Sequence, residues 1–278
     1  MTLSIAAANT GNDTPIWWPL RLWLAVEVLF AVMAGTPTFL RPEDAATGFA
    51  WPIPVAVMAA VLGVFYGASF PVAVWAVLMK RWQDVRLVAV TLGVFGTLMT
   101  LMTWLHHDKF SVGTSAYWLW VISYVVPPPL FAGMYFLHQR RSAPVGTGLT
   151  HPLPANVRTV LRANGLLLLA LGLAIFALPA PFIEIAPFTL TPLTARTLAN
   201  LVMGFGLIEV LIAWEGDWLR ARLGALLLIL VAPLLVLQLA RYPADVRWDY
   251  PFLVFLVGDS FFVAALLVRV WLTVGRKG

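Results

Sequence analysis

Cysteine is absent from all 278 residues. That excludes disulfides, thiolate metal sites and cysteine nucleophiles, and it leaves the redox compartment open. Charge is scarce too. Asp, Glu, Lys and Arg make up 11% of the chain, against about 25% in an ordinary soluble domain. A soluble chain of this length needs more polar surface than that. Histidine occurs four times, at 106, 107, 138 and 151. The C-terminal half has none beyond 151, so a haem site repeated in both halves is excluded. There is no Walker A loop, no GxGxxG opening a Rossmann unit and no GxSxG elbow, so no ATP-driven or hydrolase chemistry is expected and no cofactor is implied. The first sixteen residues lack a basic n-region and read as a mobile tail, not a signal peptide.

What the chain does have is apolar length. Hydrophobic residues make up 61% of it. A helix crossing the roughly 30 Å hydrocarbon layer needs about 20 apolar residues. Eight such stretches occur, at 18–40, 54–79, 87–106, 115–137, 161–178, 193–214, 223–240 and 251–272. They show no period-2 alternation, so they predict helices and not barrel strands. The expected fold is an all-α polytopic membrane protein. Its partners are then the lipid bilayer and, within it, a small solute or ion or other membrane subunits. The net charge of +5 reads as topology, not as nucleic-acid binding. With the N-terminus in the cytoplasm, thirteen of the eighteen basic residues lie inside. Only Arg41, Lys109, Arg196, Arg241 and Arg247 lie outside. Both termini are therefore expected in the cytoplasm, and the host is expected to be the plasma (cytoplasmic) membrane.

The spans fall into two groups of four around a Pro/Gly/Thr-rich segment. The boundaries are a tail at 1–17, a first half at 18–138, a linker at 139–156 and a second half at 157–278. Trp82-Gln-Asp-Val-Arg86 enters the third helix and Trp218-Leu-Arg-Ala-Arg222 the seventh. A register of about 136–141 residues relates these and similar pairs. Because four spans is an even number, such a tandem repeat is parallel, not inverted.

Three carboxylates lie within predicted spans: Glu27, Glu209 and Asp259. A charge at a helix centre costs on the order of 2.5–3.5 kcal/mol, so such residues face a bundle interior or a water-filled path. Glu27 and Glu209 read as shallow, and the readings that compete with function are that Glu27 pairs with a nearby basic residue and that Glu209 reaches toward the headgroups. Asp259 reads as deep. Pro127, Pro128 and Pro129 interrupt the fourth span and should free carbonyls near Ser123, Tyr124 and Val125. The repeat register sets Tyr124 opposite Asp259. The rival reading of the prolines is a packing kink satisfied by neighbours. At the outer ends, His106, His107, Asp108 and Asp245 carry imidazole and carboxylate ligands that suit a divalent metal. Adjacent histidines diverge by about 100° on a helix, which favours an ordinary solvated end.

The stretch His107-Asp-Lys-Phe110, followed by Trp118, Tyr124 and Pro127-Pro128, resembles a pattern in uncharacterised prokaryotic multi-pass membrane proteins. The resemblance covers about thirty residues, roughly 108–137. It implies the topology and carries no activity. The second half keeps Asp245 near Trp248 but lacks the histidine and the triple proline.

Two functions follow. One is gradient-driven transport or channelling of a small solute or ion, along a path near Tyr124, the proline break and Asp259. Asp259→Asn would abolish it. The other is a non-catalytic accessory subunit of a larger membrane complex, which tolerates that change. An outer-face enzyme ranks below both.

Overall fold

The computed structural model describes residues 14–141 and 149–274. Most of the tail and the centre of the linker lie outside the described residues, as do Arg276 and Lys277. Among the described residues, eight helices are long and apolar enough to cross a membrane. Spans 1 to 4 are Trp18–Leu40, Ala56–Leu78, Trp82–Leu105 and Ser115–His138; spans 5 to 8 are Ala155–Ala177, Pro192–Glu215, Trp218–Arg241 and Pro251–Thr273. Among the described residues there is no strand, and the β-type pairing is limited to two isolated antiparallel bridges. This all-helical architecture is compatible with an integral membrane protein.

Span starts follow helix-capping chemistry. Pro19 and Pro251 occupy first-turn positions, where the missing N–H has no helical partner to lose. Thr191 and Thr194 form a capping box at span 6, and Thr114 and Asp217 cap spans 4 and 7. Span 6 stops at Gly216, which holds a left-handed φ of 63°. Spans 3, 5 and 7 begin at 82, 155 and 218, five or six residues earlier than hydropathy alone predicts. Their first turns, which carry Trp or charged residues, are helical as well.

Spans 1 and 2 pack together, as do 3 and 4, 5 and 6, and 7 and 8. Span 7 lies on span 2, span 6 on span 3, and spans 3 and 7 on each other. Spans 2, 3, 6 and 7 therefore form the centre, and 1, 4, 5 and 8 the periphery. Span 6 is 72% buried over its most apolar window and span 8 only 22%. The starts of the odd spans and the ends of the even ones share one face, called the basic face below.

Three backbone contacts recur. Ile16 N–H donates to Lys80 and Trp82 N–H to Thr14. Leu153 N–H donates to Gly216 and Trp218 N–H to His151. On the opposite face, Ser111 N–H donates to Ala50 and Arg247 N–H to Pro187.

The last turn of span 1 widens into a π-helix, Thr36–Leu40. The Phe39 carbonyl accepts from Arg241 Nη1 at 2.7 Å and Gln238 Nε2 at 3.1 Å. Leu40 accepts from Arg241 Nη2 at 3.1 Å. Span 7 thus supplies the donors that a widened helix end needs.

Candidate functional site

Span 4 breaks where the three prolines require it. One helix, Ser115–Tyr124, ends, and a second, Pro127–Arg141, begins on the prolines themselves. In a first turn proline loses nothing, so the second segment is well started. The break frees the Tyr124 carbonyl, and Thr100 Oγ of span 3 donates to it at 2.7 Å. The freed backbone predicted at Tyr124 is present, but a neighbouring side chain occupies it. We predict that Thr100→Val leaves this carbonyl unpaired at a cost of about 1–2 kcal/mol. A fall in detergent melting temperature would check this; an unchanged value would mean that the carbonyl finds water instead.

The break bends span 4 around a cavity of about 130 Å³. All four spans of the first half line it, and Gly204, Ile208, Leu223, Gly224 and Leu227 of spans 6 and 7 close one side. Most of the wall is carbon, much of it aromatic: Phe30, Phe65, Phe95 and Trp120. Gly48, Phe49 and Ala50, from the segment joining spans 1 and 2, lie at the end away from the basic face. That segment packs tightly on its neighbours: Phe49 and Trp51 form edge-on contacts of 4.8 to 5.7 Å with each other, with Phe110 of the connection between spans 3 and 4, or with Trp120.

The polar groups on this wall are few. Glu27 sits nine residues into span 1, about 13 Å along the helix axis. Trp23 Nε1, one turn earlier, donates to its Oε1 at 2.8 Å. Among the described residues Glu27 makes no ion pair. Tyr66 and Tyr124 share a hydroxyl–hydroxyl hydrogen bond of 2.7 Å. Two hydroxyls carry two hydrogens and one bond uses one, so a donor is left over. Ser69 Oγ and Thr91 Oγ are buried without a partner. Among the described residues, no Lys, Arg or His lines the cavity.

Glu209 and Asp259 meet elsewhere. Glu209 is 1% exposed, and Asn164 Nδ2 of span 5 donates to its Oε2 at 3.0 Å. Asp259 of span 8 lines the same small space as Glu209. The space beside them, about 30 Å³, has room for one or two waters. Thus Glu27 joins Tyr124 and Pro127 at one cavity, Glu209 joins Asp259 at another, and the three carboxylates do not converge. Glu209 does not reach the headgroups; Asn164 holds it inside.

The outer metal candidates do not assemble. Arg196 Nη1 lies 2.9 Å from His106 Nε2, which takes the ring away from any ion. His107 reaches the Tyr117 hydroxyl at 3.3 Å, Asp108 pairs with Lys109 at 2.8 Å, and Asp245 is exposed on its own turn. No group of three or more His, Asp or Glu residues fit to hold a metal occurs among the described residues. His106 caps the end of span 3 and His107 opens a short 3-10 turn, so the two rings take different partners off the helix.

No known protein family, characterised protein or solved structure matches the chain. The reading of the site therefore rests on its own geometry.

Burial and the Arg196 guanidinium hold His106 below the usual imidazole range. A histidine kept neutral by the fold binds fewer protons than the unfolded chain as pH falls through 6.5, so stability drops on the acid side. We predict that the melting temperature falls more between pH 8 and pH 5.5 in the parent than in His106→Gln. Equal falls would remove His106 from the account.

Sequence reasoning missed Tyr66, Ser69, Thr91 and Asn164. The signal was there: Tyr66 and Ser69 are three apart in a span that is otherwise almost wholly apolar, and such a pair shares a helix face.

Proposed function

We propose that the chain binds a small solute in the first-half cavity and moves it across the cytoplasmic membrane, driven by a proton gradient. The observation that carries this reading is the cavity itself: an apolar, aromatic-walled space of about 130 Å³ into which one unpaired carboxylate and two unpartnered hydroxyls are set. Solute sites have this make-up, with a largely apolar wall and a few placed polar groups. A lone carboxylate in a membrane is costly unless a proton or a cation neutralises it, and the exchange of one for the other couples the two movements. The proline break in span 4 supports the reading as the place where the wall can bend.

The proposed orientation puts the basic face, with both termini, in the cytoplasm. Its support is the excess of Lys and Arg at the ends of spans 2 to 8 on that face. The proposed architecture is a parallel tandem repeat. The recurring contacts support it, because Ile16, Thr14 and Ala50 are matched at an offset of 137 and Lys80, Trp82 and Ser111 at 136. The same offsets set Asn164 at the place of Glu27, and Asp259 and Ser260 at the places of Ser123 and Tyr124. Tyr124 thus corresponds to Ser260, one residue from the match expected. Each half then carries a polar cluster between its first, second and fourth spans, and only the first is roomy enough for a solute.

The test is uptake. Purified protein in liposomes, given an imposed proton gradient and a pool of small solutes, should accumulate at least one of them. Ala73→Trp, which fills the cavity, should abolish that accumulation. No accumulation above empty liposomes would favour the accessory-subunit role instead.

A further inference from the structure

We infer that the solute of this cavity is a small organic monocation: an ammonium carried on one ring or a short hydrocarbon chain. The inference rests on the solute-binding reading above and narrows it to a chemical class.

Charge comes first. Among the described residues, Glu27 contributes the only ionisable carboxylate of the cavity wall, and no basic side chain lines it. An anionic solute would meet no cation there. A neutral one would leave the carboxylate with only a proton to neutralise it and would make no use of its charge. A cation supplies the missing partner.

The wall decides which cation. A divalent metal takes six or more oxygen ligands, and magnesium demands near-octahedral geometry. The cavity offers one carboxylate and a few hydroxyls among carbon atoms, and no metal-holding group occurs among the described residues. An ammonium needs less. It donates up to three hydrogen bonds, and the Glu27 carboxylate and the unpartnered Ser69 and Thr91 oxygens can accept them. The faces of Phe65, Phe95 and Trp120 suit both a cation and its apolar body.

Volume sets the size. An engineered cavity of about 150 Å³ in another protein holds one benzene molecule. At about 130 Å³ this cavity takes a solute of that order. Drug-sized amines are too large for it.

The experiment compares benzylamine with benzyl alcohol, which has the same ring and nearly the same volume but no charge. Binding to the purified full-length protein in detergent is followed by quenching of tryptophan fluorescence and by calorimetry. Benzylamine should bind about tenfold to a hundredfold more tightly, the range of a charge-assisted contact. Glu27→Gln should remove that preference and leave benzyl alcohol within about twofold of its parent affinity. Equal affinities of the parent protein for the two probes would overturn the inference while leaving a solute site in place. Retention of the preference in Glu27→Gln would overturn it as well, by removing Glu27 from recognition. If neither probe binds and the Ala73→Trp protein behaves as the parent does, the solute-binding reading falls with it. The comparison in the parent protein needs no variant, so a folding defect in Glu27→Gln cannot mask the outcome.

Discussion

Replacing Gly165 with leucine is expected to lower the melting temperature by roughly 10 °C, or to prevent recovery of folded protein altogether. The reason is a backbone contact. Spans 5 and 6 cross at Gly165 and Gly206, and even a methyl group at Gly165 would lie 2.5 Å from the Gly206 carbonyl oxygen. The reverse holds too: a methyl group at Gly206 would lie 2.6 Å from the Gly165 carbonyl. Ordinary carbon contacts need about 3.5–4.0 Å. No rotamer change relieves a clash with backbone, so the two helices must move apart by about 1 Å or more. In lipid there is little hydrophobic drive to hold them together, and close packing of small residues is what joins them. Overpacking of this kind costs about 3 kcal/mol. The separation would also pull Asn164 and Glu209 apart, since they flank these glycines on the same two helices. The check is a melting curve by intrinsic fluorescence together with size exclusion in mild detergent. A Gly165→Leu protein as stable as the parent would mean that the two spans do not pack at this crossing.

The second large effect is expected from breaking the ion pair of Arg86 and Glu215. It joins the first turn of span 3 to the last turn of span 6. Arg86 Nε donates to Glu215 Oε1 at 2.9 Å, and Nη2 donates to the same carboxylate. The side chains are only 14% and 8% exposed. A single substitution leaves the other charge buried and unpaired, which costs about 3–5 kcal/mol. Arg86→Met and Glu215→Leu should therefore each lower the melting temperature by roughly 10 °C. The double variant should regain more than half of the loss, because two apolar groups leave no stranded charge. Thermal unfolding of all four proteins closes the cycle. Simple additivity of the two losses would mean that the pair does not form. A weaker link lies nearby, where Arg222 reaches Asp84 at 3.5 Å and stacks over Trp75. Together these contacts tie the two groups of four spans at the basic face.

Much of the fold is legible in the sequence because lipid imposes one simple requirement, about 20 apolar residues per crossing. Eight spans follow from that. Their starts are less legible. The Trp82 and Trp218 turns carry charge and so fall below any hydropathy threshold, although their backbones are helical. The break at Pro127 is legible because proline chemistry is local. That Thr100 takes the freed carbonyl is not legible, since the two residues are 24 apart in sequence and meet only once spans 3 and 4 are packed.

The site is half legible for a related reason. Glu27 and Tyr124 stand out as polar groups within apolar runs, and they do line one cavity. Which carboxylates meet depends on the rotation of each helix about its own axis, about 100° per residue. Helices apolar all round leave that rotation almost unmarked. Glu209 therefore looked shallow and free to snorkel, whereas its helix turns it towards Asn164. The metal reading of His106, His107, Asp108 and Asp245 took nearness in sequence and matching loops for nearness in space.

The absence of cysteine makes the central claim directly measurable, since any introduced thiol is the only one in the protein. Ser69→Cys and Thr91→Cys should each react with 2-aminoethyl methanethiosulfonate, a small cationic thiol reagent, in the native protein, and benzylamine should slow both reactions. Met58→Cys, in packed core at 1% exposure, should react only after unfolding. If the thiols at 69 and 91 stay as unreactive as the one at 58 until the protein is denatured, the cavity is sealed packing space and not a solute site.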